Sequence, residues 1–77
     1  MAHRRQTGHY FICINNEGYQ VSLERRKIYE ARPDALAEKL GQLRIIDESG
    51  EDYLYPADYF VDIALPLPVR QALKLAA

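Results

Sequence analysis

Leu54-Tyr55-Pro56-Ala57-Asp58-Tyr59-Phe60 follows directly on the turn Asp47-Glu48-Ser49-Gly50-Glu51. The order is a tight hairpin, a short strand, a proline-broken turn and another strand, with aromatic rings crowded where the chain reverses. Pro56 has no N–H to give to a ladder, so it ends the strand before it. Pro56 to Tyr59 then reads as one 3₁₀ turn, and Phe60-Val61-Asp62-Ile63 as a new strand. That succession is how a small five-stranded barrel closes, and it sets tyrosines on a surface.

Working back from the hairpin, Leu43 to Asp47 reads as a strand with Leu43 and Ile45 on one face. Asp52 to Tyr55 returns beside it, with Leu54 expected inward and both tyrosines outward. The period changes over Pro33 to Leu40. Pro33 suits the first helical position, Asp34 complements the positive helix end, and Gly41 supplies the residue that stops it. Leu36 and Leu40 share a face at i, i+4, and a helix this short has to dock that face on the barrel.

Further upstream, Tyr10-Phe11-Ile12-Cys13-Ile14 is rich in β-formers and stopped by Asn15-Asn16-Glu17-Gly18. Tyr19-Gln20-Val21-Ser22-Leu23 alternates apolar and polar residues, as a half-buried strand or an extended loop arm does. Glu24-Arg25-Arg26 breaks that pattern with charge, and Lys27 to Arg32 resumes as a second main strand. Met1 to Gly8 is polar and aperiodic, a tail ahead of the barrel. Pro68 opens a last helix in which Val69 and Leu73 align. The expected division is therefore a tail over 1–8, a barrel over 9–65 and a helical extension over 66–77. The expected core is Ile12, Ile14, Val21, Leu23, Ile28, Leu43, Ile45, Leu54, Val61 and Ile63, with Cys13 as a further small core residue.

Composition bounds the classes of function. Seventy-seven residues make one domain, near the size where a single core suffices without disulfides or metal. A single cysteine excludes an internal disulfide, and no Cys/His spacing matches a zinc site. The apolar run behind His3, Arg4 and Arg5 is too short for a signal-peptide core or a membrane span. A reducing, cytoplasmic setting is the expectation, with no membrane contact and no cofactor. Residues 1–32 hold six cations and three acids (+3), and residues 33–77 hold four cations and eight acids (−4), so the net charge of −1 hides an uneven distribution.

Candidate chemistry is sparse. Asp47, Glu48, Glu51 and Asp52 surround the hairpin, but the alternating ligands and distal bidentate acid of a calcium loop are missing, so they read as solvated turn charges. Cys13 lies between isoleucines with nothing to activate it. No triad, dyad or metal set can be assembled, and the chain is expected not to be an enzyme. Six tyrosines are a high count for 77 residues, and tyrosine serves contact surfaces and strand edges alike. Arg25, Arg26 and Lys27 form a basic tip that could meet phosphates, with neighbouring tyrosines to stack on bases.

The stretch Val21 to Glu30 resembles the arm, diverging turn and second strand of an SH3 domain, and Tyr55-Pro56-Ala57-Asp58-Tyr59-Phe60 resembles that family's proline-containing turn before its last strand. The resemblance covers roughly Tyr10 to Ile63 and implies an SH3-like barrel. Gly50 to Ala57 also resembles a Gly-Glu-Asp-Tyr-Leu-Tyr-Pro-Ala signature of small uncharacterised bacterial proteins, which implies no activity. In SH3 domains the proline and tyrosine of this turn line a groove for proline-rich peptides, and Pro56 and Tyr59 match them. The tryptophan wall of that groove has no counterpart among Gln42, Leu43 and Arg44. The expectation is a monomeric or weakly dimeric module that contacts another protein through Tyr19, Tyr55, Pro56 and Tyr59. The alternative is a nucleic-acid-binding barrel that uses Arg25, Arg26 and Lys27.

Overall fold

The computed structural model describes residues 9–76 and the side chains of 9–73; the tail over 1–8 lies outside the described residues. Five strands make one antiparallel sheet: β1 (His9–Cys13), β2 (Ile28–Arg32), β3 (Gln42–Ile46), β4 (Asp52–Pro56) and β5 (Phe60–Ile63). Two short helices accompany them, α1 (Ala35–Lys39) between β2 and β3 and α2 (Leu67–Ala76) after β5. The strand order is β4-β3-β2-β1-β5, so the two edge strands are the ones joined by the 3₁₀ turn Ala57–Tyr59.

That junction forces the sheet to roll. Laid flat, the outer strands of five would stand about 19 Å apart, four spacings of about 4.8 Å. A three-residue 3₁₀ link rises about 2 Å per residue and spans roughly 8 Å. The sheet therefore curls on itself, and Tyr55 of β4 meets Phe60 of β5 with ring centroids 6.4 Å apart. The turn is held from both sides: Ala57 N–H donates to Gly41, while Ile14 and Asn15 N–H both donate to the Tyr59 carbonyl.

The core inside the roll is Cys13, Leu23, Tyr29, Ala31, Leu43, Ile45, Tyr55 and Phe60, with Phe11, Ala57 and Tyr59 packed against it. Leu23, Leu43, Ile45 and Cys13 sit there as expected. The rest of the expected core is corrected by register. Leu43 pairs with Tyr55 and Arg44 with Leu54, and directly paired residues share a face. Tyr55 thus points inward with Leu43, and Leu54 points outward with Arg44. Cys13 pairs with Phe60 and Ile12 with Val61, so Phe60 enters the core and Val61 is exposed. Ile12, Ile28 and Ile63 are half-buried on the outer face, and Ile14, beyond the end of β1, is exposed. Val21 is 97% exposed, because Tyr19 to Leu23 is a hydrogen-bonded turn in which Ser22 and Leu23 N–H both return to the Tyr19 carbonyl.

α1 also turns differently from the expectation. Asp34, not Pro33, opens it: its carboxylate accepts from Ala37 N–H and pairs with Arg44 of β3 at 2.8 Å. This double tether orients the helix so that Ala37 is buried, while Leu36 and Leu40 are 71% and 72% exposed. A small side chain lets the helix lie close to β3, which a leucine face would prevent. Gly41 follows in the left-handed conformation (φ 77°), the expected helix stop. Outside the roll, Arg32 and Arg44 are direct partners across β2 and β3. Asp52 lies 2.8 Å from Arg32 and 3.8 Å from Arg44, and offsets their repulsion. α2 rests on the outer face, with Arg70 over the Tyr10 ring and Leu73 half-buried.

Phe60→Ala is expected to cost about 3–5 kcal/mol, the loss of a buried aromatic, whereas Leu36→Ala and Leu40→Ala stay within about 0.5 kcal/mol. Urea unfolding midpoints of the three variants check the assignment of faces, and equal losses would refute it.

Candidate functional site

The arm between β1 and β2, residues 14–27, carries Tyr19 of one candidate surface and the whole basic tip of the other, and has no strand ladder of its own. Hydrogen bonds from side chains and backbone, to the hairpin, to the 3₁₀ turn and to β1, hold it in place. Tyr55 Oη donates to Asp47 Oδ2 at 2.6 Å and lies 2.9 Å from Ser22 Oγ. Glu48 N–H donates to the Ser22 carbonyl at 3.1 Å. Tyr29 Oη accepts from Glu24 N–H at 2.8 Å and donates to the Glu48 carboxylate, which also pairs with Lys27 at 2.7 Å. Asn16 Nδ2 donates to the Leu23 carbonyl and Tyr59 Oη to the Glu17 carbonyl, both at 3.0 Å.

Burial at Asp47 works to raise its carboxyl pKa, but hydrogen bonds from the hydroxyls of Ser49 and Tyr55 and from Ser49 N–H outweigh it, and the group sits below the usual carboxylate range. The Lys27 ammonium and the Tyr29 hydroxyl hold Glu48 low as well. The partner phenols move the other way. Burial first, then the Glu48 carboxylate, raises Tyr29 well above its ordinary value, and burial with Asp47 does the same at Tyr55. Burial likewise raises the Cys13 thiol, whose Sγ donates to the Asn15 carbonyl at 3.3 Å. These groups are fixed in one protonation state at neutral pH and serve to fasten the arm. Among the described residues no set of three or more His, Cys, Asp or Glu is placed to hold a metal ion.

Of the four residues expected at a protein contact, the structure brings all into one neighbourhood but divides their roles. Tyr19 stands edge-on against Tyr55, with centroids 4.9 Å apart, and against Tyr59 at 6.0 Å. It is 38% exposed, and its hydroxyl makes no hydrogen bond among the described residues. Pro56 and Tyr59 are half-buried beside it. Tyr55 is only 4% exposed. Its assignment as a contact residue is corrected: it is the buried post on which Tyr19 rests. The alternation around Leu54 hid this, because the hydroxyl that suggested an outward tyrosine is satisfied inside by Asp47.

The basic tip is divided too. Lys27 is paired with Glu48, while Arg25 and Arg26 are exposed and make no ion pair among the described residues. Arg26 adopts φ 72°, a left-handed conformation uncommon for a residue with a Cβ, and its N–H donates to the Cys13 carbonyl at 2.7 Å. Sequence inspection missed Asp47, Glu48 and Ser22 as the parts that position the surface. The only available signal was a hairpin carboxylate facing a tyrosine-rich arm.

No protein-family model matches the chain, and no curated protein or solved structure is significantly similar to it. No helix among the described residues is long and apolar enough to cross a membrane.

Tyr55→Phe leaves the buried Asp47 carboxylate one donor short and is expected to cost about 1–3 kcal/mol in urea unfolding at pH 7. The folded protein releases the Asp47 and Glu48 protons more readily than the unfolded chain. Their stabilisation is therefore complete at neutral pH and is lost as pH falls through the carboxylate range, around 4 and below. The variant is expected to show a shallower loss of stability between about pH 5 and pH 2; a slope equal to that of the parent would show that Tyr55 does not hold the carboxylate.

Proposed function

We propose that the chain is an SH3-like barrel acting as a small cytoplasmic protein-interaction module, not an enzyme, and that Tyr19, Pro56 and Tyr59 form its contact surface. One observation carries this reading: Tyr19 is a partly exposed ring with an unused hydroxyl, fixed edge-on by two further tyrosines. A preordered aromatic ring adds contact area while losing little conformational freedom on binding, the property that concentrates tyrosine in interfaces. The tethers from Asp47 and Glu48 to the arm supply that order in advance. Glu17 and Asp58 lie close enough to Tyr59 to raise its phenol, after burial, so the surface carries negative charge along with its rings.

A second reading has its own observation. Arg26 is held at a backbone angle that glycine would adopt without strain, beside an equally exposed Arg25. Two exposed cations at that turn suit contact with phosphates, although Lys27 contributes no free charge to it.

The test is capture of a binding partner from native cell extract by immobilised full-length protein at several salt concentrations. The protein-contact reading expects Tyr19→Ala with Tyr59→Ala to abolish capture, Arg25→Ala with Arg26→Ala to leave it intact, and salt to matter little. A nucleic-acid partner lost steeply with salt and with the arginine pair would replace this reading with the second.

A further inference from the structure

β4 and β5 share no ladder, and the arm touches both sides of the opening between them. Tyr19 rests on the Tyr55 ring of β4, and the Glu17 carbonyl accepts from Tyr59 just ahead of β5. The ends of the arm are tied by backbone bonds, Ile14 and Asn15 to Tyr59 and Arg26 to Cys13. Its middle, residues 16–24, buries one side chain fully in the core, Leu23. Most of its other fastenings lead to two adjacent carboxylates.

The same device occurs twice. Tyr29 Oη donates to Glu48 and accepts from Glu24 N–H at 2.8 Å, and Tyr55 Oη donates to Asp47 and stands 2.9 Å from Ser22 Oγ. An ionised carboxylate can only accept, so each phenol proton is committed to it and the phenol oxygen is left as an acceptor for the arm. A protonated carboxyl can instead donate to that oxygen and compete with the arm for it. Glu48 also grips Lys27 at 2.7 Å, which keeps its own N–H on the Ser22 carbonyl. The Lys27 ammonium first, then the Tyr29 hydroxyl, hold the Glu48 carboxyl low. Its grip is therefore complete at neutral pH and is lost as pH falls through the carboxylate range, around 4 and below.

The other ionisable groups facing the pair do not fasten the arm. Glu51 accepts from Tyr53, and Asp52 is bound to Arg32 and Arg44. Glu30 lines the same cleft as both carboxylates and makes no hydrogen bond or ion pair among the described residues. α2 meets that cleft through Leu73, and its Arg70 lies over Tyr10 there. In acid the phenols of Tyr19, Tyr29, Tyr53 and Tyr55 and the Cys13 thiol behind Tyr29 stay neutral, and Lys27 and Arg70 stay charged. The strand ladders consist of backbone groups that do not titrate.

We propose that the middle of the arm is a strap that opens as a unit over an intact sheet, latched by ionised Asp47 and Glu48 and released by acid. Because Tyr19 rides on the strap, opening also takes apart the Tyr19–Tyr59 surface. That consequence rests on the protein-contact reading, whereas the opening itself does not and is measured without a partner.

The test is amide hydrogen exchange of the ¹⁵N-labelled full chain at pH 7 and pH 3, each rate referred to that of an unprotected amide at the same pH. Leu23, Glu24 and Glu48 are expected to be less protected than the ladder amides of β3 and β4 at both pH values. They lose a further factor of about three to ten between pH 7 and pH 3, the worth of a partly exposed ion pair and of charge-assisted hydrogen bonds made neutral. Asp47→Asn with Glu48→Gln is expected to show most of that loss already at pH 7. Glu48→Gln alone, at a side chain 34% exposed, serves if the double variant does not fold. Equal protection of arm and ladder amides at either pH would mean that the arm opens only with the whole domain. Arm protection that is independent of pH, or unchanged in the folded variant at pH 7, would mean that the carboxylates do not latch it; each of these results overturns the proposal.

Discussion

The hydrogen bond from Tyr55 Oη to the buried Asp47 carboxylate is the contact on which the arrangement of this small domain depends. It lies where three parts of the chain meet: the β3–β4 hairpin that supplies Asp47, the strand that supplies Tyr55, and the arm that reaches the same hydroxyl through Ser22. A buried carboxylate without donors would be costly in a domain near the lower size limit for a single core. Given donors from Tyr55 and Ser49, the same carboxylate becomes an anchor. The second anchor, Glu48 with Tyr29 and Lys27, repeats the device one residue further along. Together with single backbone bonds to Tyr59, Cys13 and Glu48, they let fourteen residues of arm keep one position without a regular strand ladder.

Aromatic residues occupy the core for the same geometric reason. The 3₁₀ turn pulls the two edge strands together and closes a space inside the roll. Tyr29, Tyr55 and Phe60 fill it, with Phe60 edge-on to both tyrosines at 6.5 and 6.4 Å. Edge-on packing is favourable between aromatic rings beyond the area it buries. The two tyrosines then carry their hydroxyls out of the apolar volume to the carboxylates at the hairpin. An aliphatic core of the same strands would leave Asp47 without its phenolic donor.

The elements themselves were legible in the sequence. Pro56, the Asn15-to-Gly18 turn, Gly41 and the Asp47-to-Glu51 hairpin punctuate the chain so clearly that all five strands and both helices fall within a residue or two of their observed ends. The faces of β1 and β5 were not legible, because both sides of those strands carry apolar residues. In β1 the pair Tyr10 and Ile12 competes with Phe11 and Cys13; in β5 Val61 and Ile63 compete with Phe60. Periodicity alone cannot choose between two apolar sets, and a one-residue difference moves every side chain to the other side. What decides is the pairing of Leu43 with Tyr55 and of Cys13 with Phe60, which is tertiary information. Tyr19 and Tyr59 could be picked out as surface residues, but the buried support of Tyr55 beneath them could not.

The two-sided sheet has a structural consequence. A strand buried on one face presents polar residues on the other, and this one instead places Ile12, Ile28, Ile46 and Ile63 on its outer side, half-buried. α2 covers only part of that face, through Leu73 and the Arg70 guanidinium on Tyr10. Its own Leu67 and Val69 remain exposed. The helix is thus a partial cover of that face. The roll that closes the aromatic core on one side therefore also leaves the aliphatic set outside, where a single short helix cannot bury all of it.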